Sequence, residues 1–280
     1  MSVFEKILHA LQFHGDAPTN YGLFHICFLV LTLAVTIFLV WRFKNASDKT
    51  VRKILLAFWI TVVVFEIYKQ LDFSMVVTDG VANWSYQWYA LPFQFCSTIF
   101  YTLPFIIFLP DGWLRKAFIA FFTTFTFFAG FAVMLYPGDV FSPDIGVSVQ
   151  TMIHHGTQVA LGIFLTAHSL KNVKFRHLGI ALAIFYVFCG IAMILNESVH
   201  NLIVAGEIVG EFNMFFISPY YNCTLPILAD IYKAVPYPAF LAIYMVGFAL
   251  IALLFFAIEK GILALVGKCK KAPVEPTVEQ

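Results

Sequence analysis

Charge is scarce in this sequence. Asp, Glu, Lys and Arg make up 12% of its 280 residues against 61% hydrophobic, with a mean hydropathy of +0.85. Such a chain cannot cover a water-facing surface, which excludes an ordinary soluble domain and makes lipid its natural solvent. Cysteine is equally sparse. Cys27, Cys96, Cys189, Cys223 and Cys269 are scattered, with no C-x-x-C pair and no His partner at zinc-finger spacing, so neither a disulfide framework nor a structural zinc site is signalled. There is no internal repeat, phosphate-cradling glycine loop or low-complexity tract. The 17 Lys and Arg nearly balance 16 Asp and Glu, so nothing draws the chain toward nucleic acid.

Long apolar runs dominate what is present. A bilayer core about 30 Å thick needs roughly 20 apolar residues. Seven stretches come near that length, at Gly22 to Phe43, Ile54 to Leu71, Trp88 to Leu109, Ala117 to Leu135, Val149 to Leu170, Leu178 to Leu195 and Pro238 to Ile258. Positive residues stay preferentially on the cytoplasmic side. One set of loops holds 14 of the 17 Lys and Arg, and the alternate set holds only Lys6, Lys69 and Lys233. This alternation predicts an all-α polytopic membrane protein with seven spans, the N-terminus outside and the C-terminus cytoplasmic; the expected location is the cell membrane, although the charge bias fits an internal membrane equally well.

The chain divides into three parts. Residues 1–21 form an extracytoplasmic segment whose Phe4, Ile7, Leu8 and Leu11 recur at helical spacing, which reads as an interfacial helix and not a cleavable signal peptide. Residues 22–260 are the membrane domain, with a lid-like outer segment at 197–237 that holds a short helix within Leu225 to Lys233. Residues 261–280 are a basic cytoplasmic tail, disordered from Ala272 onward, in which Cys269 reads as an unmodified thiol.

Polar groups inside spans are costly and mark candidate sites. His25 opens the first span, Glu66 lies near the outer end of the second beside Lys69 and Gln70, and Gln94 and Cys96 interrupt the third. His154, His155 and Gln158 interrupt the fifth, Asn196 closes the sixth, and Asn213 lies in the outer segment. All crowd toward one leaflet, as a polar outer cavity requires. Cys96 serves either as a small packing residue or as a nucleophile that a histidine at the same depth deprotonates. A histidine of the 154–155 pair serves either as that base or in an interhelical hydrogen bond. Glu66 pairs with Lys69 or a histidine, or orients the base. A metal held by His25, Glu66 and a fifth-span histidine lacks any H-E-x-x-H spacing, so neither metal nor cofactor is expected.

These landmarks together resemble the YwaF-type integral membrane protein family, related to transmembrane protein 164, a cysteine-dependent lipid acyltransferase. The resemblance spans most of the chain: His25, Glu66 with Gln70, Leu91-Pro92 followed by Cys96, Tyr136-Pro137, His155-Gly156, Asn213-Met214-Phe215-Phe216 and Pro236-Tyr237-Pro238. Gln94 stands where a histidine is common, and Met214 and Tyr237 replace other aromatics. The resemblance implies acyl transfer on phospholipids and lysophospholipids, with Cys96 as nucleophile and His155 as base. His25 or Glu66 would orient that base, and His154, Gln158, Gln94, Asn196 and Asn213 would line the substrate site. Membrane phospholipids are then the expected partners, and protein partners are not indicated. The rival reading from the residues alone is a protein that binds or transports a small solute or protons through the same cavity. A structural subunit with only interhelical hydrogen bonds is the third.

Overall fold

The computed structural model describes residues 1–138 and 140–269, with side chains given through 267. The tail from Ala272 and the Cys269 side chain lie outside the described residues. The chain is mostly helical: α1 Val3–Leu11, α2 Leu23–Phe43, α3 Asp48–Ser74, α4 Thr98–Phe108, α5 Trp113–Leu135, α6 Ile145–Ser169, α7 Phe175–Val204, α8 Leu228–Ala234 and α9 Tyr237–Cys269. Of these, α2, α5, α7 and α9 are long and apolar enough to cross a membrane. The hairpin β1 Met75–Thr78 and β2 Val81–Trp84 leads from the end of α3 toward the 3-10 turn at Trp88–Ala90. It reverses at Asp79-Gly80, where both φ angles are positive (53° and 74°).

The centre of the bundle is α6, packed against α2, α3 and the second half of α5. Fifteen of its 25 residues are buried, whereas α2 keeps only His25, Thr36 and Leu39 from the surface. Glycines let the helices close. A Cβ on Gly156 would stand 2.5 Å from Thr32 Oγ1 of α2, and one on Gly130 of α5 would stand 2.5 Å from Gln158 Cβ. Midway along α5, the turn Phe122–Thr126 is π-helical. One extra residue there rotates the second half by about 100°. The first half of α5 accordingly packs on α7, the π turn on α9, and the second half on α6.

Aromatic rings fill the interior beside it. Phe95 meets Phe125, Phe185, Phe215 and Phe248 at centroid distances of 4.8 to 6.4 Å. At the opposite end from the hairpin, basic side chains cap helix carbonyls. Arg115 donates to Ile106 O (2.8 Å) and to Asp48 (2.7 Å), Arg52 donates to Ile107 O and Asp48, and Lys260 reaches Leu170 O.

The third predicted span, Trp88 to Leu109, is not one helix. Two short 3-10 turns, Trp88–Ala90 and Phe95–Ser97, precede α4, which has only 11 residues. Pro92 has no N–H to donate and forces Leu91 to extended backbone (φ −48°, ψ 129°). The sixth stretch is longer than predicted, so Asn196 lies inside α7 and does not close it.

Candidate active site

Cys96 is therefore carried by an interrupted backbone and not by a helix wall. Non-helical main chain at membrane depth survives only where protein supplies its hydrogen bonds. Here α6 supplies them: the Cys96 carbonyl accepts from Gln158 Nε2 (2.6 Å) and His154 Nε2 (3.1 Å). Gln158 Nε2 also lies 2.9 Å from His154 Nε2, within reach of a second hydrogen bond from the same amide. Half-buried Cys96, His154 (4% exposed) and His155 (5%) each place a ligand-type atom within 4.8 Å of the other two.

The ring tautomers follow from their partners. His155 Nδ1 lies 2.8 Å from the carbonyl of Thr151. A carbonyl only accepts, so Nδ1 carries the proton and Nε2 holds a lone pair. His154 Nε2 faces both an acceptor, the Cys96 carbonyl, and a donor, Gln158 Nε2, so these partners fit either tautomer, and Nδ1 is the nitrogen they leave free. Among the described residues neither free nitrogen has a hydrogen-bond partner, and both are buried. The pair meets nearly edge to face, with centroids 5.0 Å apart, and Phe100 packs on His154 at 5.1 Å.

The other predicted residues lie in separate networks. His25 accepts from Tyr21 N (2.9 Å) at Nδ1 and donates through Nε2 to Met134 O (2.9 Å), tying α2 to α5 with both nitrogens satisfied. Glu66 bonds Lys69 (2.9 Å), Gln70 (2.7 Å) and, across to α6, Gln150 (3.3 Å), but neither histidine. Gln94 grips the outer segment, donating to Asn213 O (2.9 Å) and accepting from Phe215 N (2.8 Å). Asn196 does the same at Met214, accepting from its N–H (2.7 Å) and donating to its carbonyl (3.1 Å). Asn213 accepts from Ser218 N (2.9 Å) and donates to Asn222 O (3.1 Å).

Together these amides hold Phe215 and Phe216 at φ 58°, a conformation non-glycine residues rarely adopt and one that costs about 1–3 kcal/mol each. The return is placement: Phe215 wedges between Phe93 and Phe95, the residues that lead into Cys96, at 5.7 and 5.9 Å. Sequence reasoning missed Thr151, Gln150 and Gly130. The first two were available as the residues one helical turn before His155 and His154.

At the end of α3 nearest the hairpin, Asp72 (3% exposed) and Asp144 (7% exposed) form a buried acidic pair, with Gln12 donating to Asp72 O (3.2 Å) and Tyr68 to Leu11 O (3.0 Å).

The fold and this cluster define a helical membrane protein with a buried thiol–imidazole centre. The chain belongs to the TMEM164 family, whose profile matches residues 20–259 and so covers every residue of the centre. No curated protein and no solved structure matches it.

Proposed function

We propose that this protein is a membrane-embedded acyltransferase that moves fatty-acyl chains between phospholipids and lysophospholipids through Cys96. One observation carries the reading: the Thr151 carbonyl fixes His155 with an unpartnered lone pair in the same buried cluster as the Cys96 thiol. In the first half-reaction His155 Nε2 takes the thiol proton and Sγ attacks the ester carbonyl of a donor phospholipid. The C–O bond breaks, the lysolipid oxygen takes the proton back from His155, and the acyl group remains as a thioester. The second half-reaction is the reverse with another lysolipid. The Thr151 carbonyl takes the orienting role expected, from the sequence, of His25 or Glu66. Gln94, Asn196 and Asn213 act on substrate indirectly, by fixing the aromatic segment above Cys96.

An apolar groove of about 160 Å³ between α2, α3 and α6, lined by Phe28, Leu31, Phe58, Met152 and Gly156, lies on another face of α6, and none of Cys96, His154 and His155 lines it. On the same reading the chain crosses the cell membrane seven times, with its N-terminus and the 197–237 segment outside. The distribution of Lys and Arg supports that orientation, and the exposed Phe4, Ile7 and Leu11 support an α1 that lies in the interface.

The test is the intact mass of purified wild type, Cys96→Ala and His155→Ala after incubation with mixed phospholipid and lysolipid. A fatty-acyl increment on the wild type, absent from Cys96→Ala and slowed in His155→Ala, is expected. If no adduct forms and the lipids are unchanged in all three, acyl transfer is refuted and solute binding in the same cavity takes its place.

A further inference from the structure

A thiol and two imidazoles gathered for acyl transfer require one base. The cluster has two. His154 contributes nothing to the half-reactions above, yet its Nδ1 is as buried and as unpartnered as His155 Nε2, and the Oε1 of Gln158 (0% exposed) is an acceptor with no donor among the described residues. Two buried imidazole nitrogens without hydrogen-bond partners, on residues clustered with a thiol, are an environment that a bound cation satisfies.

The geometry points to a zinc site formed by Cys96, His154 and His155. Thiolate with imidazole is a donor set suited to Zn²⁺. His155 also donates its other N–H to the Thr151 carbonyl, and the His154 ring is held by the Cys96 carbonyl and Gln158. Such a bond fixes ring tautomer and orientation at metal ligands generally. In tetrahedral coordination at about 2.0–2.3 Å, ligand atoms stand about 3.3–3.6 Å apart, so a cluster already within 4.8 Å closes by about 1 Å. Binding displaces one proton, from the Cys96 thiol to solvent, as a Zn–S bond forms. It also occupies both the nucleophile and the base. Resting on the acyl-transfer reading, the consequence is regulatory: zinc holds the enzyme silent and its removal releases it.

The test uses the full-length protein in nanodiscs, stripped with chelator and titrated anaerobically with Co²⁺ as spectroscopic probe and then with Zn²⁺. One Co²⁺ per chain is expected, with a thiolate-to-metal charge-transfer band that Zn²⁺ abolishes. The band is absent in Cys96→Ala, and His154→Ala and His155→Ala each weaken binding at least about tenfold. Added Zn²⁺ raises the melting temperature of wild type but not of Cys96→Ala, and equal melting of the stripped proteins shows that the variants fold. Binding that does not saturate near one ion per chain, or a band that survives in Cys96→Ala, overturns the site. The acyl adduct is measured on the stripped protein, which keeps the two proposals apart. An adduct with no cobalt band defeats the zinc site alone, and a cobalt band with no adduct defeats acyl transfer alone. An adduct abolished by one equivalent of Zn²⁺ supports both.

Discussion

Adding one methyl group at Gly130 couples the packing of the bundle to the chemistry at its centre. A Cβ there would stand 2.5 Å from Gln158 Cβ, 2.8 Å from the His155 carbonyl oxygen and 2.9 Å from Gln158 Oε1. Carbon atoms pack at about 3.5–4.0 Å, so α5 and α6 must separate locally by about 1 Å. Neither of the nearest two atoms is the end of a flexible side chain, so the strain is taken by the helices, at about 1–3 kcal/mol. The displaced stretch of α6 carries His154, His155 and Gln158, and a misplacement of about 1 Å costs about 100-fold in rate. Gly130→Ala is therefore expected to unfold at lower denaturant and to acylate Cys96 about 100-fold more slowly. Gly179→Ala is the control, since its Cβ meets nothing within 4 Å. Intact-mass time courses and denaturant titrations read both quantities. Wild-type unfolding and acylation in Gly130→Ala would refute the close α5–α6 contact as the device that sets the site.

Asn196→Ala removes both partners of the Met214 main chain, at about 1–3 kcal/mol for each orphaned group. Proteolysis within 205–235 should accelerate in it while the rest of the chain stays protected, and cleavage at the wild-type rate would show that Asn196 does not hold this segment.

Helix type was legible where the neighbour is lipid, and the reading weakened where the neighbour is protein. The runs that became α2, α7 and α9 are apolar because they face hydrocarbon. The hairpin at Asp79-Gly80 carried a turn signal that length-based span counting passed over. Pro92 was used as part of a motif when its physical consequence, an interrupted third stretch, was the more informative reading. For the site, type and depth were readable but partners were not. Helical periodicity places His154 and His155 about 100° apart, yet which carbonyl each ring finds depends on where the broken segment at Phe93 to Ser97 enters. Gln94, Asn196 and Asn213 were read as substrate contacts because polar amides in or beside spans mark candidate sites. Their partners proved to be the main chain of an irregular segment that needed them to lie where it does.

The same principle explains why polarity here locates the centre and not the surface. At 27 and 25 residues, α3 and α6 rise about 40 and 37 Å, enough to span a bilayer core, but their composition is less apolar than that of α2 or α9. A polar residue facing lipid has no partner, whereas one facing another helix has the partner's backbone and side chains. Gln150 reaching Glu66, Gln158 and His154 reaching the Cys96 carbonyl, and Thr32 seated against Gly156 are all contacts of α6 with protein. Once those bonds are assigned, the nitrogens left without partners, His154 Nδ1 and His155 Nε2, are the part of that polarity that packing does not explain. They stand beside a thiol on a segment that gave up helical structure, and those buried, unpartnered ring nitrogens are what assign chemistry to the centre of this bundle.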